Sequence, residues 1–89
     1  KLLILEDHSE LREFLADYLS AEYRVLVASD GVEGLQICEK EDPDLVISDV
    51  MMEHMDGLQF CSRLKSTQEI SHIPVIPRSV VVLASPSLR

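Results

Sequence analysis

Leu45-Val46-Ile47-Ser48-Asp49 is an apolar run that stops on a carboxylate, and Leu2-Leu3-Ile4-Leu5-Glu6-Asp7 repeats the arrangement near the start of the chain. Short continuous apolar runs of this kind read as strands buried on both faces, as in a parallel sheet. Two such strands that both end in acid place their C-terminal ends side by side, at the edge where open α/β sheets bind ligands. Carboxylates gathered there repel one another unless a cation lies between them, and an all-oxygen set suits a hard ion such as Mg²⁺.

Outward from these strands, the pattern alternates. Leu11, Phe14, Leu15, Tyr18 and Leu19 recur at helical spacing and predict an amphipathic helix from about Ser9 to Ser20. His8 or Ser9 is the expected N-cap, with Glu10 and Glu13 in the favourable first turn. Tyr23 to Ala28 reads as a strand. Asp30-Gly31 is a turn signal, after which Val32, Leu35, Ile37 and Cys38 predict a helix ending near Pro43. Gly57 opens a third helical pattern carried by Leu58, Cys61, Leu64 and Lys65, and Ile73-Pro74-Val75-Ile76 reads as a fourth short strand. Strand and helix alternating through short connections predict βαβ units, a parallel sheet and helices on both of its faces.

The bulk properties bound the function. Eighty-nine residues make one domain, and a chain this short buries only roughly 60–65% of its unfolded surface. A net charge of −8 argues against direct binding to nucleic acid, which needs a basic face. No apolar stretch approaches the length of a membrane span, and no signal peptide opens the chain. Cys38 and Cys61 lack CxxC spacing and a His at metal spacing, so they read as structural thiols in a reducing compartment. Met51, Met52 and Met55 read as loop packing, and His8, His54 and His72 as surface or capping residues.

Glu6-Asp7, Asp30-Gly31-Val32-Glu33, Pro43-Asp44-Leu45-Val46, Asp49-Val50-Met51-Met52 and Met55-Asp56-Gly57 together resemble the receiver domain of two-component response regulators. The resemblance covers residues 1–76 and implies a flavodoxin-like, doubly wound α/β fold with strand order 2-1-3-4-5, an order that general accounts of this fold already state for the family. It implies that Asp49 accepts a phosphoryl group from a sensor histidine kinase or a phosphotransfer domain. It implies Mg²⁺ as cofactor, with Asp7 as direct ligand, Glu6 acting through water, and the backbone carbonyl of Met51 and Asp49 completing the protein's share. A cytoplasmic location follows from the same resemblance, and any catalysis is limited to the domain's own phosphorylation.

The sequence departs from the family pattern in two places. Glu53 stands where receivers carry a Pro. After Ile76, neither the Thr/Ser-Ala that ends the fourth strand nor the Lys-Pro of the fifth is in register, and the lysines are Lys1, Lys40 and Lys65. Residues 77–89 therefore form an atypical tail in which Val80 to Ala84 is a candidate extra strand. The expectation is a truncated or frame-altered receiver, with Ile4, Val46 or Val75 left exposed or covered by a second copy through the sheet or tail. Two further readings stand beside the phosphoacceptor switch. One is a degenerate receiver that acts as an interaction module. The other is a phosphohydrolase of the haloacid-dehalogenase kind, disfavoured because its Asp-x-Asp pair needs an acid where Met51 stands.

Overall fold

The computed structural model describes residues 1–49 and 57–78. Within them the order is β1 (Leu2–Leu5), α1 (Ser9–Leu19), β2 (Val25–Ala28), α2 (Gly31–Glu41), β3 (Leu45–Ser48), α3 (Gly57–Ser66) and β4 (Val75–Pro77). The strands are parallel in the order β2-β1-β3-β4, as the resemblance implies for the first four. The chain is thus an α/β protein of flavodoxin-like design. The expected extra strand at Val80–Ala84 and the loop positions Met51 to Asp56 lie outside the described residues.

Alternation along the strands divides the core between two layers. Leu3, Leu5, Ala28 and Val46 point to one face, where Cys38 of α2, Phe60 and Leu64 of α3, and Ile70 and Ile73 complete a buried cluster. Leu2, Ile4 and Ile47 point to the other, and Leu15 of α1 is the helix residue buried over that side. Ile4 and Val46 are fully buried within the one chain, contrary to the expectation that they would be left exposed or need a second copy to cover them, and Val75 is half-buried. What remains open on the α1 side is a groove of about 380 Å³ between Leu19, Tyr23, Leu45, Ile47 and Ile76.

The helix ends follow the capping chemistry legible in the sequence. His8 Nδ1 accepts the Leu11 amide at 3.3 Å to start α1. Asp30 caps α2 by accepting the Glu33 amide at 2.9 Å, so the expected turn is the helix start itself. Asp42, in the left-handed region at φ 48°, ends α2 immediately before Pro43. Asn, Asp and Gly are the residues that tolerate that conformation at a helix end.

The helical faces correct several expectations. Of the apolar stripe on α1, Phe14 and Tyr18 are 49% and 41% exposed and stack on each other with ring centroids 6.4 Å apart. On α3 the buried anchors are Phe60 and Leu64, four residues apart, whereas Cys61 is only half-buried. Lys65 faces outward, and its ammonium donates to the carbonyls of Ser71 and Ile73 at 3.1 and 3.0 Å, clamping the turn after α3. The second strand begins at Val25, not Tyr23, because Tyr23 is more than half exposed beyond the end of α1. The fourth strand runs two residues later at its start and includes Pro77, paired in register with Ser48. Proline is tolerated there because β4 stands last in the strand order and Pro77 is its final residue.

Two packing predictions follow from these contacts. A Cβ at Gly34 would approach Leu5 Cδ1 to 2.8 Å and Phe60 Cε1 to 3.1 Å, both inside the buried cluster. Gly34→Val is expected to lower unfolding free energy by about 1–3 kcal/mol in urea titrations, the range for overpacked cores. Burial pushes the Cys38 thiol up to about 11, so iodoacetamide at pH 8 should modify Cys61 first and reach Cys38 only under unfolding conditions, as peptide mass mapping would show.

Candidate functional site

Register brings the strand-end residues together. Leu5 of β1 is paired with Ser48 of β3, and Ser48 with Pro77 of β4. The next residue on each strand is therefore Glu6, Asp49 and Arg78. Backbone bonds extend the ladders to hold two of them: the Glu6 amide donates to the Ala28 carbonyl at 3.0 Å, and the Asp49 amide donates to the Leu5 carbonyl at 3.0 Å. Arg12 of α1 donates to the Glu6 carbonyl at 2.9 Å and ties the helix to the same edge.

Glu6, Asp7 and Asp49 each present a carboxylate oxygen within 4.8 Å of the others. The three expected acidic residues are thus brought to one pocket, while Met51 lies outside the described residues. Their environments differ. Glu6 is 1% exposed, Asp49 is half-buried, and Asp7 is open to solvent. Oε2 of Glu6 is buried and has no hydrogen-bond partner among the described residues. A buried carboxylate oxygen without a donor is costly, and such a group normally pairs or binds a metal.

The charge balance is visible in Glu6, whose carboxyl is pushed up to about 7. Burial is the main cause, followed by a hydrogen bond to Asp49 that the protonated acid can donate; Arg78 opposes the rise, and the charges of Asp49 and Asp7 add to it. The donor set fits a hard divalent cation. All ligand atoms are oxygens, they converge, and one of them is buried and unsatisfied. Mg²⁺ in particular is held by one or two carboxylates while keeping several waters.

Arg78 is the site residue that sequence reasoning missed. Its Nη1 donates to Glu6 Oε1 at 3.0 Å, and its Nη2 lies 3.5 Å from Asp49 Oδ1. Expected as part of the atypical tail with Pro77, it is in fact the residue that directly follows β4. The available signal was its position: it is the first basic residue after an apolar run whose parallel neighbour, β3, ends in acid.

The model of a family described as the response regulator receiver domain matches residues 2–82, running past the end of β4. Histidine kinase P4 of Formosa agariphila is 41% identical over 75 residues, which is 84% of this chain and 6% of that protein. Response regulator MprA of a Mycobacterium species (strain KMS) is 43% identical over 68 residues, 75% of this chain and 30% of the relative. The crystal structure of the N-terminal domain of a response regulator receiver protein from Methanoculleus marisnigri superposes with a TM-score of 0.82 at 32% identity, covering 85% of this chain and 63% of the other. The chain therefore spans only a small part of the curated relatives it matches.

Because Glu6 holds its proton more tightly in the folded chain than its ordinary value of 4.5, the folded state carries the extra proton between about pH 4.5 and 7. Stability of the metal-free chain should therefore fall as pH rises through that window and level off above it. Glu6→Gln should remove the fall, leaving the variant more stable than the parent at pH 8 by on the order of 2 kcal/mol in urea titrations with EDTA, and less favoured relative to it at pH 4.5.

Proposed function

The chain belongs to the response regulator receiver domain family of two-component signalling, and on that footing we propose that Asp49 accepts a phosphoryl group from a phosphohistidine on a sensor histidine kinase or a phosphotransfer domain. The observation that supports this reading most is the convergence of Glu6, Asp7 and Asp49 around a buried, donor-less oxygen of Glu6. In this reading the pocket holds Mg²⁺ through Asp7 and Asp49, with Glu6 acting through water and the Met51 carbonyl as a further ligand. The bound ion supplies charge neutralisation and orients the phosphoryl oxygens.

The chain's own residues do the remaining work. A carboxylate oxygen of Asp49 attacks phosphorus, the O–P bond forms as the P–N bond breaks, and the imidazole leaves with the bonding pair. The product is an acyl phosphate on the protein, which is nucleophilic catalysis of the domain's own modification. The half-buried setting of Asp49 suits this role, since its side chain is 18% exposed and sits at a sheet edge where a donor can reach it. The buried Glu6 fixes the inner wall, and the exposed Asp7 stands at the mouth. Added charge on Asp49 then biases the surrounding surface.

An interaction module without phosphoryl chemistry is the weaker reading. Such a module has no use for three converging carboxylates, one of them buried without a donor, because an apolar residue at position 6 would be cheaper to bury. Donor and domain meet in the cytoplasm on this account; among the described residues no helix is long and apolar enough to cross a membrane.

Incubation with acetyl phosphate and Mg²⁺ should add one phosphoryl group by intact mass, with no gain in Asp49→Asn or in EDTA. Asp7→Asn should slow the gain by at least about tenfold, the scale expected for losing a metal contact. A folded parent that gains nothing, by circular dichroism and mass together, would contradict the reading.

A further inference from the structure

Arg78 follows β4 directly, and its guanidinium spans two of the three site carboxylates, at 3.0 Å from Glu6 Oε1 and 3.5 Å from Asp49 Oδ1. Arg12, which also reaches this edge, donates to the Glu6 backbone carbonyl and not to its carboxylate. A planar guanidinium offers parallel N–H donors that match carboxylate edges, so it partly stands in for a cation. It does so incompletely. One positive charge offsets one of three negative ones, and Oε2 of Glu6 keeps no donor.

We propose that Arg78 is a tethered counter-cation of this pocket, competing with the divalent ion for Glu6 and Asp49, so that ion binding draws the guanidinium off these carboxylates. The proposal rests on the reading of the pocket as a Mg²⁺ site. Two cations that need the same carboxylate edges repel at such distances, and the better-matched one displaces the other. The divalent ion carries twice the charge and can be reached, directly or through water, by the oxygen that Arg78 leaves unsatisfied. The Arg78 side chain is 33% exposed and follows Pro77, the final residue of β4, so it can swing outward without disturbing the paired β4 residues. Its presence offsets part of the pocket's negative charge before an ion binds. Its departure makes the end of β4 a reporter of what the pocket holds.

Isothermal titration of MgCl₂ into the metal-free chain at pH 8 tests this, with the parent, Arg78→Gln and Arg78→Lys compared. Arg78→Gln should bind Mg²⁺ about tenfold tighter than the parent, the order expected when one competing charge leaves a partly buried site. Arg78→Lys keeps the charge but not the fork, and should gain only about threefold. Metal-free Arg78→Gln should also melt below the parent, because Glu6 loses its donor, and added Mg²⁺ should close that gap. Equal or weaker binding by Arg78→Gln, with the parent still binding, overturns the competition while leaving the Mg²⁺ pocket intact. Absence of binding by both folded proteins overturns the pocket reading and the competition together. If Arg78→Gln does not fold, an unchanged affinity in Arg78→Lys overturns the proposal.

Discussion

The in-register pairing of β1 with β3 is the constraint on which everything at the functional edge depends. Leu5 beside Ser48 leaves Glu6 and Asp49 as the next residues on adjacent parallel strands, and the Asp49 amide bonded to the Leu5 carbonyl holds that pairing one step further. The result is electrostatically unfavourable by construction. Like charges meet where burial removes the water that would screen them, and Glu6 responds by holding its proton toward neutral pH. The two apolar layers on either side of the sheet make this arrangement tolerable. Leu3, Leu5, Val46, Phe60 and Leu64 on one side, and Leu2, Ile4, Leu15 and Ile47 on the other, are buried against the sheet and oppose separation of the acidic strand ends. Strain of this kind, imposed by a scaffold on a few polar groups, is common at functional sites.

Arg78 gives the same edge a second layer of chemistry. A pocket of three carboxylates with no cation would be difficult to fold, and one permanently filled by an internal cation would not bind an ion. A side chain on the end of a strand that is only partly engaged satisfies both requirements. On the proposed reading it supports folding before an ion arrives and yields afterwards. The position of this residue follows from β4 extending through Pro77, since a strand ending at Ile76 would leave Arg78 one residue further from the edge.

Much of the fold was legible because it rests on strong, local signals. Apolar runs closed by acid marked β1 and β3, and the alternation of strands and helices marked a parallel sheet, whose strand order came from the family resemblance. His8 and Asp30 were read as helix or turn starters because short polar side chains cap exposed amides. The misreadings share a cause: which side of a helix is buried depends on neighbours distant in sequence. Cys61 and Phe60 are adjacent, and only the packing of α3 over α2 and the sheet makes Phe60 the anchor. Phe14 and Tyr18 look like core residues by spacing, yet α1 turns them outward, where they stack on each other. The site was legible in its acids and not in its base. Glu6, Asp7 and Asp49 announce themselves at strand ends, whereas Arg78 follows a proline, which ordinarily argues that a strand has already stopped.

On the proposed reading this edge directs a phosphoryl group to one carboxylate among several close together. Borohydride reduction of the acetyl-phosphate-treated chain, followed by peptide sequencing, reports that choice directly, because reduction converts an acyl phosphate of aspartate to homoserine. Homoserine is expected at position 49, with unmodified acid at Glu6 and Asp7. Reduction at either neighbour, or an intact Asp49 in a chain that has gained the phosphoryl mass, would contradict it.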